Sequence, residues 1–473
     1  MKPYIPLNKN EYKAIFESIK DEFDYAEIFC ENKEGLTLIF DDRKLENVIR
    51  FVSSGTGIRL LSGDKTIFYS IPSDRYDEIV NKIKIKKTGD RRQETEKRKK
   101  KKEVIFEPIS EIKKDFSAMS LNEKADILKK VDNSIREKYQ DVLQVTIRYS
   151  ESMRKIFIVT DDENVISDIT PGIIFAVNVC LRDGEEIRTG YKADGGQYGL
   201  EFFNIVDVHK IGLEAARIAA VQVGANPAPC GRFPVVISSS AGGTMIHEAC
   251  GHGLEADLVE KGFSVYKGKT GKRVASGKVT VIDNGRLAGK RGSASFDDEG
   301  IKTEKVVLIE NGILKGFLHS KKTAKKMNTK PTGNSRRESY SNLPIPRMRN
   351  TMINPGNDDP LDIIKSVEKG ILVKNMGGGE VDPVTGNFVF YVGEAYLIEK
   401  GEIKEPIRGA ILLGSGPEVL LNIEKVGNDL GFNVGTCGKE GQGVPVSDAQ
   451  PTILIKELIV GGQSTELKDS IRN

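Results

Sequence analysis

Apolar and polar positions alternate with period two through much of this chain, and only a few stretches carry the 3.6-residue period of an amphipathic helix. A helix is expected over 11–21, then strand-like runs at 26–31, 36–40, 56–61 and 65–70. Residues 121–139 place apolar side chains at helical spacing among many Lys and Glu. From 143 to 203 alternation dominates, with turn signals such as Asp183-Gly184 between runs, which predicts an antiparallel meander. Residues 205–223 read as a helix with an Ala-rich face. Gly224, Pro227 and Pro229 then break the chain and mark the main domain boundary.

The second half carries a weak internal echo at 282–287, 309–314 and 398–403. Each unit sets an acidic residue and an Asn-Gly or Lys-Gly pair between apolar residues. Asn-Gly suits a type I′ hairpin, whose two central residues both need positive φ. Residues 382–387, leading into Phe388-Val389-Phe390-Tyr391-Val392, predict a fourth hairpin. Few helices interrupt the strands: one near 238–257, one near 361–369 and one near 417–426. The predicted class is therefore α+β. An N-terminal mixed α/β domain with antiparallel strands precedes a C-terminal, predominantly antiparallel β domain, barrel- or sandwich-like, which carries the helix near 238–257. The expected divisions are 1–81, a basic linker at 82–105, a second N-terminal part at 106–226, and 227–473.

Composition narrows the picture. The 473 residues allow two or three domains, and no apolar run approaches the ~20 residues that span a bilayer. The first ten residues lack a signal-peptide core, and five dispersed cysteines fit reduced thiols, so a cytoplasmic location is expected. Net charge is +3, but residues 82–102 hold twelve Lys/Arg and three Asp/Glu. That segment reads as an exposed linker between domains rather than a nucleic-acid site.

The chemistry concentrates between Thr244 and Glu255. His247, Glu248 and His252 stand there with Cys250, Gly251 and Gly253. Imidazole is the commonest protein ligand for zinc, and a neighbouring carboxylate can take the proton of an activated water. The motif resembles HExxH with one residue too many. On an ideal helix, residues four apart lie about 40° apart around the axis and residues five apart about 140°. His247 and His252 cannot share a metal on a straight helix. A π-bulge would realign them, and Gly251 and Gly253 would make such a bulge, or a helix end, cheap. Alternatively Glu248 and His252 form the ligand pair. The third ligand is open from spacing: His209, His319, Cys230, Cys250, Cys437, Glu255 and Asp257 all qualify. The Gly-rich stretches 377–379 and 414–417 match no phosphate-loop pattern and read as tight turns. The serines at 238–240 include a helix N-cap.

Several further motifs complete a pattern. Pro331-Thr332-Gly333-Asn334, Arg336-Arg337-Glu338-Ser339-Tyr340 and Leu343-Pro344-Ile345-Pro346-Arg347-Met348 follow the histidine motif. Val381-Asp382-Pro383-Val384-Thr385-Gly386, Gly416-Pro417-Glu418-Val419-Leu420, Thr436-Cys437-Gly438-Lys439 and Val444-Pro445-Val446 come after them, in order. Together they resemble the TldD/PmbA family of metallopeptidases, densely over 231–462 and loosely before it. Of that family's two kinds of subunit, the TldD kind carries HExxxH and the PmbA (TldE) kind lacks it; this chain resembles the former. The resemblance implies a zinc peptidase acting on unfolded, short or leader-type peptides in a closed chamber. It implies His247, His252 and Cys437 as metal ligands and Glu248 as general base. It also implies pairing with a PmbA/TldE-type subunit, or with itself. The basic run at 82–102 is longer than the resemblance suggests. Arg347, Arg349 and Glu394 are expected to contact substrate. The alternative is a non-catalytic metal-binding subunit or partner-binding protein of a peptidase complex.

Overall fold

The computed structural model describes residues 1–19, 23–83, 104–162 and 164–462. Most of the basic segment, 84–103, lies outside them. Among the described residues no helix is long and apolar enough to cross a membrane.

The first half is built on one seven-stranded sheet. Tyr25–Asp41 pairs antiparallel with Lys44–Ser62 on one side and with Val142–Thr160 on the other. Strands on either side of the basic segment therefore share one sheet. Val142–Thr160, Val165–Asp183 and Glu186–Gly196 form the expected meander. The helices Leu121–Lys138 and Val208–Gln222 lay their apolar stripes against it, burying Leu128, Val131 and Ile135 with Val208, Ala215 and Ala219. Ser120 and Glu123 close a capping box on the first helix, and Asp207 caps the second. The runs expected at 26–31 and 36–40 are one 17-residue strand, and 56–61 is the end of a 19-residue strand. The missed portion, 44–52, is wholly or partly exposed and mixes Leu45, Val48, Ile49 and Val52 with charge. No clean alternation marks it because neither face is fully buried.

The second half centres on a closed five-stranded barrel. Lys369–Val381, Gly231–Ile237, Ile453–Gly461, Ile411–Ser415 and Asn387–Glu399 pair in that order, and the last pairs back to the first. A six-stranded sheet lies beside it and ends in the hairpin Gly431–Lys439 with Gln442–Gln450. The hairpins at 309–314 and 398–403 form as expected, with Asn311 and Gly312 at φ 48° and 81°, and Lys400 and Gly401 at 52° and 74°. The hairpin over 382–387 also forms. The unit at 282–287 does not make a hairpin. Its strand, Val281–Asn284, pairs instead with Lys305–Glu310 and Thr351–Ile353. The expected helix near 417–426 is a single short helix, Gly416–Leu421, followed by a strand, Ile423–Val426.

Candidate metal centre

The barrel strand Gly231–Ile237 leads directly into the histidine segment. Ser238 accepts from the Ser240 amide and caps a 3-10 turn, and a short α-turn at Thr244–Ile246 follows. From His247 to Gly251 the backbone is a π-turn, closed by the His252 N–H donating to the His247 carbonyl. One five-residue turn replaces a four-residue one, so both imidazoles leave the same side. The ring centroids are 5.1 Å apart and nearly perpendicular. Opposite them, Met245, Ile246, Ala249 and Cys250 join the barrel core with Val235, Ile371 and Phe390.

The glycines act by room rather than by backbone freedom. Gly251 keeps ordinary right-handed helical angles, φ −55° and ψ −55°. A Cβ there would sit 2.0 Å from the Met348 sulfur, and one at Gly253 would sit 2.8 Å from the Tyr266 ring. The site is therefore packed against its neighbours at contact distance.

His247, His252 and Cys437 offer one donor atom each, all within 4.8 Å of one another. Cys437 comes from the hairpin strand Gly431–Lys439, with its Sγ 3.5 Å from His252 Nε2. Each imidazole has a carboxylate behind it. His247 Nδ1–H donates to Asp448 at 2.8 Å, and His252 Nδ1–H donates to Glu255 at 3.0 Å. Such partners fix the tautomer and leave Nε2 free as a ligand. Glu255 also accepts from the Met348 amide and pairs with Lys439 at 3.1 Å. Burial alone would push Glu255 up, but Lys439 and His252 hold it down to about 2. Glu248 lies 4.0 Å from His252 Nε2 and is partly exposed. Burial raises its carboxyl above the usual range, against the pull of the two histidines.

The other third-ligand candidates lie elsewhere. His209 contacts Ser134, and His319 contacts Thr323. Cys230 and Cys250 donate to main-chain carbonyls. Asp257 pairs with Lys439, and Glu255 stands behind His252. Of the expected substrate contacts, Arg347 is fully buried and donates to the Cys437 and Gln442 carbonyls. Arg349 is buried and donates to the Gly333 and Gly292 carbonyls. Glu394 pairs with Arg217 and accepts from Tyr396. Asp448 and Lys439 went unnoticed in the sequence.

The centre collects Asp448, Glu255, Glu248 and Cys437 around two imidazoles. Burial lowers the basicity of His252, yet Glu255 and Cys437 raise it to about 10; Asp448 and Cys437 likewise raise His247. Burial would push the Cys437 thiol up, but the two histidines bring it to about 5. A thiolate, two oriented imidazoles and surplus negative charge are a donor set that fits a soft or borderline divalent cation.

Three regions of the chain match the PmbA/TldA metallopeptidases. Residues 26–85 match their domain 1, 114–223 the central domain and 230–462 the C-terminal domain. The chain belongs to the TldD/PmbA family. A metalloprotease TldD homolog of Buchnera aphidicola is 38% identical, over 96% of this chain and 98% of its own. A metalloprotease of Methanocaldococcus jannaschii is 34% identical, over 91% and 96%. The fold matches that of TldE from Thermococcus kodakarensis, with a TM-score of 0.73 at 19% identity, covering 96% of this chain and all of that one.

Proposed function

We propose that the chain is a zinc-dependent peptidase hydrolysing unfolded or short peptides, leader-type peptides among them, in a chamber completed by a second subunit. The observation that carries this reading is the meeting of His247, His252 and Cys437 beside a largely buried Glu248. Two imidazoles and a thiolate would hold zinc and leave one position open. When bound, zinc would supply Lewis-acid polarisation of the scissile carbonyl and lower the pKa of an attacking water. Glu248 takes the water's proton and passes it to the leaving amine; its raised carboxyl brings it nearer the pKa suited to that exchange. Asp448 and Glu255 hold the two rings in register throughout.

The Gly431–Lys439 strand lies at the edge of its sheet and carries Cys437. An extended peptide can pair with such an edge through main-chain bonds indifferent to side chains. Arg347 serves by fixing the Cys437 carbonyl, as a positioning residue. The likeness to a TldE fold supports a PmbA/TldE-type subunit as partner, with a second copy of this chain as the other option. Replacing Glu248→Gln is the test. Zinc content should match wild type while cleavage of unfolded peptides disappears. Cleavage retained in that variant sinks the general-base assignment. A wild-type protein that binds zinc but cleaves no peptide, alone or with its partner subunit, is a metal-binding subunit instead.

A further inference from the structure

A cavity of about 230 Å³ opens between the seven-stranded sheet and the hairpin that carries Cys437. Thr436, which immediately precedes Cys437, forms part of its wall with 443–445; Ser152 and 170–172 line it from the first half. Six cationic residues line it, Lys33, Arg154, Arg291, Arg336, Arg337 and Arg349, against the acidic Asp298 and Glu338.

Only part of that charge is compensated from within. Arg154 pairs with Glu31 and Asp298, and Arg337 pairs with Glu27. Among the described residues, Arg291, Arg336 and Arg349 spend their side-chain bonds on main-chain carbonyls instead. Arg291 donates to Gly435, Arg336 to Met348 and Pro445, and Arg349 to Gly333 and Gly292. The Nε and Nη1 atoms of Arg337 are buried with no hydrogen-bond partner among the described residues. Burial and the neighbouring Arg349 and Arg347 hold Arg336 well below the usual guanidinium range, and burial lowers Arg349 against the pull of nearby aspartates. Carboxylates lie nearby, Asp297, Asp298, Asp283 and Asp168 around Arg349 among them, but no ion pair within the described residues engages Arg291, Arg336 or Arg349. Buried guanidinium groups left without a directly bonded anion around a void are poised to take one.

We propose that this cavity binds a carboxylate of the peptide substrate. A carboxylate is planar, offers two acceptor oxygens, and meets guanidinium forks in paired hydrogen bonds. The volume admits a small group rather than a folded chain. Val444 opposes Cys437 in the hairpin, shares its face and also lines the cavity, so a peptide bound at the metal centre can place a carboxylate here. The inference rests on the peptidase reading for its occupant, whereas the cationic cavity does not depend on it. Two sources share this chemistry: the C-terminal carboxylate and an Asp or Glu side chain.

The test uses the full chain carrying Glu248→Gln and loaded with zinc, so that binding is read without cleavage. Three fluorescent peptides of one neutral sequence are compared by anisotropy: a free acid, its C-terminal amide, and the amide with one Glu near the end. The free acid should bind about ten- to a hundredfold more tightly than the plain amide, the range for charge-assisted hydrogen bonds. If the Glu-bearing amide binds as tightly as the free acid, side-chain carboxylates are accepted too. If it binds like the plain amide, the C-terminus is the ligand. Adding Lys33→Gln or Arg291→Gln, the less buried of the cations, should shrink the preference for carboxylate, a change in ratio that mere misfolding would not produce. Equal binding of all three peptides overturns the inference. Its failure is distinct from that of the peptidase reading: cleavage of acids and amides alike by wild type leaves the enzyme standing without the carboxylate site. Carboxylate-selective binding with no cleavage leaves the site without the enzyme.

Discussion

Asp448 makes the sharpest test of how the metal centre is held. Its carboxylate accepts from His247 Nδ1–H at 2.8 Å, and both side chains are at least nine-tenths buried. Asp448→Asn preserves shape and can still accept one hydrogen bond, but it removes the charge. A charge-assisted bond is roughly twice as strong as a neutral one, so about half the bond survives. Losing partners of this kind weakens metal affinity about 10- to 100-fold, or about 1.4–2.8 kcal/mol. The assay is competition for zinc against a chelating dye, backed by melting with and without zinc. The zinc-induced stabilisation should shrink by about 1.4 kcal/mol for each tenfold loss of affinity. Melting of the metal-free protein separates the two possible origins of a loss. If it is unchanged while zinc affinity falls, Asp448 acts through the ring. Zinc affinity equal to wild type would refute the claim that this carboxylate orients the ligand.

Other perturbations have equally direct readouts. Gly251→Ala puts a methyl 2.0 Å from the Met348 sulfur; overpacking of this kind costs about 1–3 kcal/mol, read in urea unfolding, and Met348→Ala in the same chain should recover zinc binding. Cys437→Ser and His252→Ala should each lose zinc by elemental analysis after dialysis, and full occupancy in both would rule out the ligand set. Glu27→Gln strips the shared partner of Arg59 and Arg337. Breaking such a buried pair costs about 3–5 kcal/mol at pH 7. Burial pushes Glu27 up, but the two arginines hold it at about 2, below its ordinary 4.5. Its contribution is thus full above pH 4.5 and is lost as pH falls toward 2, so the gap between variant and wild type in chemical unfolding must narrow over that window.

Periodicity exposed most of the fold where one face of an element is buried. The meander and the helices at 121–138 and 208–222 pair apolar stripes with wet faces, and each is visible as such. The type I′ hairpins were legible because Asn311-Gly312 and Lys400-Gly401 must take positive φ. The Asn284-Gly285 pair shows the limit of that signal. It permits a tight turn, but the partner of Val281–Asn284 is decided by burial against strands 20 and 70 residues onward. The barrel likewise needs a long-range pairing, between Lys369–Val381 and the parallel strand Gly231–Ile237, and no local pattern encodes it.

The site shows the same division in finer detail. The spacing of His247 and His252 demanded a π-bulge, a helix end at the glycines, or Glu248 with His252 as the ligand pair, and the backbone takes the π-turn. Spacing left seven candidates for the third donor, because Cys437 is 185 residues from His252 and reaches it only through the edge hairpin. Resemblance to a family, not geometry, singled it out. Asp448 did leave a mark in the sequence. In the register Cys437↔Val444, Gly435↔Val446 and Asn433↔Asp448, residues 444, 446 and 448 share one face with Cys437. Two are buried valines and the third is a buried carboxylate. An acid that interrupts an apolar alternation needs a partner inside the protein. Once Cys437 is placed beside the histidines, that face leads to His247, and the carboxylate completes for one ring what Glu255 does for the other.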